Sequence, residues 1–438
     1  MQLLYKLEDK VPRGKFLSYS LQHVIMFLSS GVAITVVIGI AFQLSMPEIS
    51  AMMQRAFFVA GLFTAIQGAA GHRYPIVDGP AGLWASMLLL IAPTLRGHMT
   101  TVLTDLETGI MIGGALVVVV TALNLMPYIF KLFTPAVNGV LMMLMVLQIS
   151  SSIIRGMTGL WAEGGYIDGA SVVVFVFTIV VILVLNVRTK GFVKTIAALI
   201  GAGAGWLFAI PLGNAPTPEN AGNYIFSLPK AFAFGPPTWN PGLVIVCIFS
   251  SFVVLSMVYA SMTGMSEVVD RKIDDKGIKK GVMIHGLAAT VAGILPVVPM
   301  IPYIAPIGLV VTTRVAARKP LVAGGLFMLL MGLVSPVGAL FSAIPIPVGY
   351  AVMTVMFAVI FKQGLYEVQK DAVEFPDNIA YVVGIAMIIG IGMMFLPFEA
   401  FLHLPGVLPY LLSNGLIDGI VVAIVLDRLL LKRKDKKD

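Results

Sequence analysis

The sequence contains little charge and almost no cysteine. Charged residues make up 12% of the 438 residues, about half the usual share of a soluble domain, whereas 58% are hydrophobic. A water-soluble fold could not bury so many apolar side chains, so the composition indicates a membrane protein. The one cysteine, Cys247, lies inside an apolar run, which excludes a disulfide framework and a thiolate metal cluster.

Several sequence motifs are also missing. There is no Walker loop, zinc-binding helix motif or nucleophile elbow, so nothing supports ATP-driven transport or intramembrane hydrolysis, and we expect no enzyme activity, cofactor or metal. Segments of alternating polarity, which are typical of an outer-membrane barrel, are absent too. The net charge of +7 is explained by membrane topology rather than by nucleic-acid binding.

Long apolar runs are what the sequence has in abundance. Windows of roughly 20 apolar residues, enough for a helix to cross the hydrocarbon core, recur along the chain and predict an all-α, multi-span membrane protein. Apolar runs between charges and Pro/Gly breaks predict fourteen spans, near 19–43, 55–71, 76–95, 106–125, 132–154, 169–188, 192–211, 241–262, 280–297, 299–317, 320–338, 344–362, 378–397 and 407–428.

The positions of lysine and arginine agree with fourteen spans. If the N-terminus is cytoplasmic, all but four of the 29 basic residues fall in inside segments or at the span ends bordering them. The exceptions are Arg55, Arg96, Arg155 and Lys230. One missed span would move every later loop to the wrong side. We therefore expect a multi-pass protein of the cell membrane with both termini cytoplasmic.

A polar stretch divides the chain into halves. Residues 211–240, rich in Pro, Gly and Asn, are predicted to form an extracellular loop between a first repeat, 1–210, and a second, 241–430; residues 431–438 form a basic cytoplasmic tail. Seven spans precede the loop and seven follow it. Because seven is odd, a repeat between the halves has to be inverted, as in many secondary transporters.

Two Gly/Pro-rich segments occupy the third span of each half. Gly79–Leu83 reads Gly-Pro-Ala-Gly-Leu and Ala305–Leu309 reads Ala-Pro-Ile-Gly-Leu, each preceded by another proline, Pro75 or Pro302. Proline interrupts a helix, so spans 3 and 10 are predicted to be discontinuous, and paired breaks in inverted halves indicate a binding site. A chance match is the alternative, because Gly and Pro are common in membrane helices.

Few ionisable side chains lie within the predicted spans or at their ends, and only Asp78 is beside a break. Asp78 either takes part in function or caps the half-helix that starts at Gly79. Glu267 is an interfacial residue on the simpler interpretation, and Gln22 and His23 either line a cavity or anchor the interface.

Two aromatic residues lie in the interrupted spans. Trp84 and Tyr303 could stack on a flat heterocycle whose edge is bound by unwound backbone, although membrane aromatics also serve as packing or interface residues.

The chain resembles the nucleobase/ascorbate transporters, also called nucleobase cation symporter-2. The resemblance lies in Gln22-His23, in Gly71–Pro75 before Gly79-Pro80, and in Ile307–Leu309 leading to Thr313–Ala316, and it is closest to purine, uracil and xanthine permeases. It implies short strands in spans 3 and 10, a core domain of spans 1–4 and 8–11, a gate domain of spans 5–7 and 12–14, a base bound between the strands, and a homodimer.

The chain departs from the family pattern at its two carboxylates. Ser261 and Ala305 stand where typical members have glutamates, and Pro306 replaces an asparagine. We hypothesise that Asp78 supplies the missing acceptor. The predicted substrate site comprises Asp78, Gly79, Ala81, Gly82, Trp84, Ser261, Thr263, Tyr303, Ala305, Ile307 and Gly308, with the Ser261 and Thr263 hydroxyls facing the cavity; the predicted coupling residues are Gln22, His23, Asp78 and Glu267.

These observations predict a secondary transporter that imports xanthine, uracil or another purine, with a proton or sodium ion as the coupling cation. The lipid bilayer is a further expected partner, and nucleic acid is not. An anion transporter of the sulfate or bicarbonate type is the alternative, because helix N-termini at spans 3 and 10 can hold an anion without a carboxylate. A transport-inactive paralogue is a third interpretation.

Overall fold

A computed structural model of the chain describes residues 2–94, 99–160, 165–219 and 224–431. Arg96, residues 220–223 of the central loop and the basic tail from 432 onwards lie outside these ranges. The described chain is mostly helical and of membrane type, with seven helices long and apolar enough to cross a bilayer. Three shorter apolar helices, Gly82–Ala92, Ala197–Ala209 and Ile379–Met394, accompany them.

The elements follow one another as helices interrupted by two short strands. In chain order they are α1 (Arg13–Ala41), α2 (Met46–Ala69), β1 (Asp78–Pro80), α3 (Gly82–Thr94), α4 (Met99–Ala122), α5 (Met126–Phe130), α6 (Pro135–Thr158), α7 (Gly169–Arg188), α8 (Gly191–Thr195), α9 (Ala197–Ala209), α10 (Pro241–Val253), α11 (Leu255–Val268), α12 (Asp275–Ile294), β2 (Met300–Pro302), α13 (Ala305–Thr313), α14 (Arg318–Met331), α15 (Ser335–Ser342), α16 (Ile346–Glu374), α17 (Ile379–Met394), a 3-10 turn (Phe398–Phe401), α18 (Leu408–Leu412) and α19 (Gly415–Leu430).

Both strands lie where the sequence places its Gly/Pro breaks. β1 precedes α3, β2 precedes α13, and the two strands pair antiparallel with Asp78 opposite Pro302 and Pro80 opposite Met300. The pairing is short because each strand ends in a proline, which has no N–H to donate. The interrupted segments of the two halves therefore meet in the interior, where all six strand residues are buried.

Glycines bring helices from opposite halves into close contact. A Cβ atom added to Gly325 of α14 would lie 2.9 Å from the carbonyl oxygen of Gly61 in α2, and one added to Gly286 of α12 would lie 3.0 Å from that of Gly114 in α4. Small residues allow such close backbone approach, which is how helices gain packing energy where lipid offers no hydrophobic driving force. The pairs α2 with α14 and α4 with α12 hold the two halves together.

The helix boundaries differ from several of the predicted spans, most clearly in the second half of the chain. The predicted span 320–338 is divided between α14 and α15, which begins at Ser335 with a proline in its first turn. Helix α16 continues to Glu374, well beyond the predicted end at 362. Its last turns carry Gln, Glu, Lys and Asp side chains, so a search for apolar runs could not include them.

The N-terminal segment is held by three arginines, two in loops and one at the start of α14. Glu8 accepts hydrogen bonds from Arg318 and Arg73, and lies 3.8 Å from Arg271. The backbone N–H of Arg318 also donates to the carbonyl of Leu7. The hydrogen bond from Arg318 lowers the pKa of Glu8 below its ordinary value of 4.5, and the charges of the three arginines add to this effect.

Candidate functional site

The centre of the candidate site is the strand pair together with two side chains that fasten it. The Tyr303 hydroxyl donates to the Pro80 carbonyl over 3.1 Å, and the Ser261 hydroxyl of α11 donates to the Pro302 carbonyl over 2.7 Å. Backbone bonds continue the pairing, from Ala81 to Pro299 and from Tyr303 to Val77. These bonds supply partners to carbonyls that unwound backbone would otherwise leave unsatisfied inside a membrane protein.

Position 79, in the middle of β1, has room only for glycine. A Cβ atom at this position would collide with the ring and hydroxyl of Tyr303, which lies directly over the glycine. A larger residue would therefore push Tyr303 away from Pro80 and open the strand pair.

A cavity of about 300 Å³ lies beside this strand pair. Elements from both halves enclose it: the strand ends, the starts of α3 and α13, and helices α1, α6, α11 and α16. The lining residues are Ser30, Pro80, Gly82, Met142, Met257, Ile301, Pro302, Tyr303, Ile304, Ala305, Met356, Phe357, Val359, Ile360 and Gln363. A volume of this size suits a small ligand.

The first residues of two helices form part of the wall. Helix α3 begins at Gly82 and α13 at Ala305, and both residues line the cavity. The first N–H groups of a helix have no partner within the helix and carry partial positive charge. The cavity wall can therefore offer backbone donors at the first residues of these helices, Gly82 and Ala305; further into α13, Pro306 has no N–H and the N–H of Ile307 already donates to the Ile304 carbonyl.

The rest of the wall is neutral. Among the described residues that line the cavity, none is charged, and polar side chains come from Ser30, Tyr303 and Gln363. Aromatic surface comes from Tyr303 and Phe357. A flat, polar but uncharged molecule matches this combination, because aromatic faces can stack on its plane while neutral groups bind its edge.

Of the predicted substrate residues, Gly82, Tyr303 and Ala305 lie on the cavity wall. Asp78 and Ala81 lie next to it in the buried β1 segment. Asp78 is 3% exposed, its backbone N–H donates to Thr64, and its Oδ2 atom has no hydrogen-bond partner among the described residues. A direct contact between Asp78 and a ligand stays a prediction.

The structure places the two hydroxyls from α11 in different surroundings. Ser261 is fully buried and binds β2, whereas the Thr263 hydroxyl donates to the carbonyl of Tyr259 in its own helix. Neither residue is part of the cavity wall in the described structure. In α13, Ile307 faces Gly264 of α11, and Gly308 has open space around its Cα. Direct contacts from these four residues to a ligand stay predictions.

The other predicted residues lie outside the cavity wall. Trp84 is 1% exposed and packs in the hydrophobic core. His23 is buried against Gly324 of α14, its neighbour Gln22 is half-buried, and Glu267 is exposed at the end of α11. Their proposed coupling role is untested by this geometry. No cluster of three or more metal-binding side chains occurs in the described ranges.

The wall also includes residues of α1, α6 and α16 that no sequence pattern indicated. Met142 and Phe357 are apolar residues in apolar spans, so nothing in their pattern distinguishes them from packing residues. Gln363 could have been recognised as a candidate, because it is a polar side chain at the edge of an apolar run. It was not, because it falls one residue beyond the predicted span end at 362.

The chain is similar to known permeases over most of its length. The sequence model Xan_ur_permease, described as a permease family, matches residues 14–399. The "Putative purine permease YwdJ" of Bacillus subtilis is 29% identical over 430 residues, covering 96% of this chain and 97% of the relative. The xanthine permease of Bacillus subtilis is 23% identical over 415 residues, covering 94% and 93%.

Among solved structures, the transmembrane domain of the cyanobacterial bicarbonate transporter BicA superimposes with a TM-score of 0.59 at 13% identity, covering 96% of this chain and 99% of that one. At this identity the likeness concerns the fold alone. The family match extends from α1 to the 3-10 turn and includes every element around the cavity. The chain belongs to this permease family, the nucleobase/ascorbate transporters.

Proposed function

We propose that the protein is a secondary active permease that imports a nucleobase, either a purine such as xanthine or the pyrimidine uracil, by cation symport. The observation that carries the proposal is the neutral cavity between the paired strands and α16, which has helix N-termini on one side and aromatic surface beside them. Relatives named for purine and xanthine transport over nearly the whole chain support the same substrate class.

The proposed architecture has fourteen spans, arranged as seven plus seven with inverted topology. Each predicted span contains helix, and spans 3 and 10 consist of a strand followed by a shorter helix. In an inverted repeat, span 2 corresponds to span 9 and span 4 to span 11. Exchanging the two halves turns the contact between α2 (span 2) and α14 (span 11) into the contact between α12 (span 9) and α4 (span 4). Both contacts are present in the structure, which supports the repeat.

In this proposal the cavity lies between two domains. The core domain comprises spans 1–4 and 8–11 and contributes the strands, whereas the gate domain comprises spans 5–7 and 12–14 and contributes α6 and α16. A base held between the two would be exposed to one side of the membrane and then to the other as the domains move relative to each other. We further propose cytoplasmic termini and a homodimer.

Coupling in this proposal uses Asp78 rather than the two family carboxylates. The Asp78 carboxylate is buried next to the strand pair, and its unpartnered Oδ2 atom makes it a candidate for proton binding. A proton is the proposed coupling ion, and a sodium ion is the second candidate.

Uptake by cells expressing the protein tests the proposal. Radiolabelled xanthine, uracil, hypoxanthine, urate and sulfate would each be measured at two pH values, with and without sodium. We expect uptake of at least one base, faster at the more acidic pH, and no sulfate uptake. Uptake of sulfate alone would instead support an anion transporter, and uptake of none of the compounds would support the transport-inactive interpretation.

A further inference from the structure

Gln363 is the one carboxamide on the described wall of the cavity. It belongs to α16, whereas Tyr303 and Ala305, on the same wall, belong to the segment around β2. A ligand that touches both would bridge the two proposed domains. We call the part of the wall formed by α6 and α16 the gate side, after the proposed gate domain. The hydrogen-bonding groups of Gln363 therefore decide which edge of a ligand the gate side can bind.

The orientation of this carboxamide is fixed by its neighbours. Its Nε2 atom donates to Glu367 Oε1 over 2.9 Å, and the same carboxylate oxygen accepts from Lys370 Nζ, also over 2.9 Å. The three residues form a row along one side of α16, with spacings of four and three residues, so that they are neighbours on the helix surface.

A carboxylate paired with lysine can only accept hydrogen bonds. The NH₂ group of Gln363, and not its oxygen, must therefore face Glu367. The Glu367 side chain is 14% exposed and is absent from the described cavity wall. It therefore contacts Gln363 without being part of the surface that faces the cavity.

This arrangement leaves the Oε1 atom of Gln363 without a partner among the described residues. Ser30 of α1, also on the cavity wall, likewise has a hydroxyl without a hydrogen-bond partner among the described residues. An amide oxygen accepts and never donates. The gate side of the cavity thus presents a hydrogen-bond acceptor of fixed orientation.

We propose that Gln363 is the specificity-determining residue of the gate side, and that its Oε1 atom accepts a ring N–H of the bound base while Glu367 and Lys370 position it. This inference rests on the proposed function and deepens it. Its substrate class is a base that carries a ring N–H, as uracil and xanthine do, and a derivative methylated at that nitrogen should bind more weakly than its parent.

Inhibition of transport by methylated bases tests the inference. The probes are xanthine and uracil, each with its mono-N-methylated derivatives. For the wild type we expect one derivative of the accepted base to bind roughly three- to tenfold more weakly than its parent, as expected for one neutral hydrogen bond. Gln363→Met has a similar length but no amide, and it should reduce this ratio to about one for that derivative alone.

Two further variants separate recognition from structure. Lys362→Met removes a polar side chain from the neighbouring, exposed position of α16 and should keep the wild-type ratio. Glu367→Gln frees the Gln363 carboxamide to rotate and should lower affinity for the parent base, although Glu367 is not on the wall. Thermal unfolding of each purified variant shows whether it is folded.

Each outcome bears on a separate claim. If the wild type transports a base but Gln363→Met, folded, keeps the wild-type ratios for every derivative, the role of Gln363 is refuted and the proposed function stands. Equal binding of all derivatives by the wild type refutes it as well. If the wild type neither transports nor binds any base, both the function and the inference are overturned.

Discussion

The Tyr303 hydroxyl donates a hydrogen bond to the Pro80 carbonyl over 3.1 Å and so joins the side chain of one interrupted segment to the backbone of the other. The ring of the same residue lies over Gly79 and lines the cavity. Tyr303 therefore has two separable structural roles: its hydroxyl fastens the strands, and its ring forms part of the cavity wall.

Tyr303→Phe should separate these roles. Loss of the hydroxyl removes one buried hydrogen bond, which costs about 1 kcal/mol of folding free energy. The ring remains, so affinity for the accepted base should stay within about threefold. Unfolding in detergent and base binding, measured on the same preparation, check the prediction; a complete loss of binding in a folded variant would mean that the hydroxyl itself contacts the base.

Ser261→Ala and Thr263→Ala form a matched pair on α11. The first leaves the Pro302 carbonyl without the Ser261 donor and should destabilise the protein by about 1–3 kcal/mol, with weaker base binding because β2 is less well held. The second removes a hydroxyl that binds its own helix and should change stability by less than about 0.5 kcal/mol. Equal effects of the two substitutions would contradict the assignment of Ser261 to β2.

Gly114→Leu should prevent close packing of α4 on α12. A Cβ atom at Gly114 would lie 2.7 Å from the Gly286 carbonyl oxygen, so the helices would have to separate. We expect loss of folded protein in size-exclusion chromatography. Gly384→Leu is the control, because no atom lies within 4 Å of the corresponding Cβ position, and this variant should be recovered normally.

Asp78→Asn tests the proposed coupling residue. The amide keeps the size of the side chain but cannot take up a proton, so accumulation of base against a gradient should be lost while exchange of labelled for unlabelled base continues. Uptake and exchange assays at two pH values distinguish these processes. Unchanged accumulation with unchanged pH dependence would exclude Asp78 as the coupling group.

Glu8→Gln tests the contact between the N-terminal segment and the three arginines. Because the Arg318 hydrogen bond lowers the pKa of Glu8 below 4.5, the carboxylate stabilises the folded state at neutral pH, and this contribution disappears as the pH falls through the lowered pKa. The wild type should unfold at a higher temperature than Glu8→Gln at neutral pH, and the difference should shrink below about pH 4.5.

The control for this experiment is Glu399→Gln, which removes an exposed carboxylate from the 3-10 turn. Its difference from the wild type should be small across the same pH range. A Glu8→Gln difference that persists unchanged in acid would contradict the ionic origin of the stabilisation.

The sequence was most informative where backbone chemistry is restrictive. Pro302 and the Gly79-Pro80 pair exclude a continuous helix, and the short strands lie at these positions. Apolar runs located the helices, because a helix that crosses a membrane has to be apolar over its length.

Contacts between elements that are distant in the sequence could not be predicted from such local patterns. Nothing in the sequence near Gln363 shows that α16 lies against the segment after β2, or that Glu367 fixes an amide in the cavity. Ser261 was identified as important from the family pattern, yet its hydrogen bond to Pro302 depends on how α11 lies against β2. Such contacts depend on packing, which a linear pattern does not specify.

The contact between Glu8 and Arg318 also has a consequence for biosynthesis. The two residues are 310 positions apart, so Glu8 leaves the ribosome long before its partner. The N-terminal segment cannot complete this contact until Arg318, the first residue of α14, has been made after the ten preceding proposed crossings, and it can dock only if Arg73, Arg271 and Arg318 have all reached the same side. Formation of this ion cluster therefore reports that ten of the fourteen proposed crossings have been completed in the correct orientation.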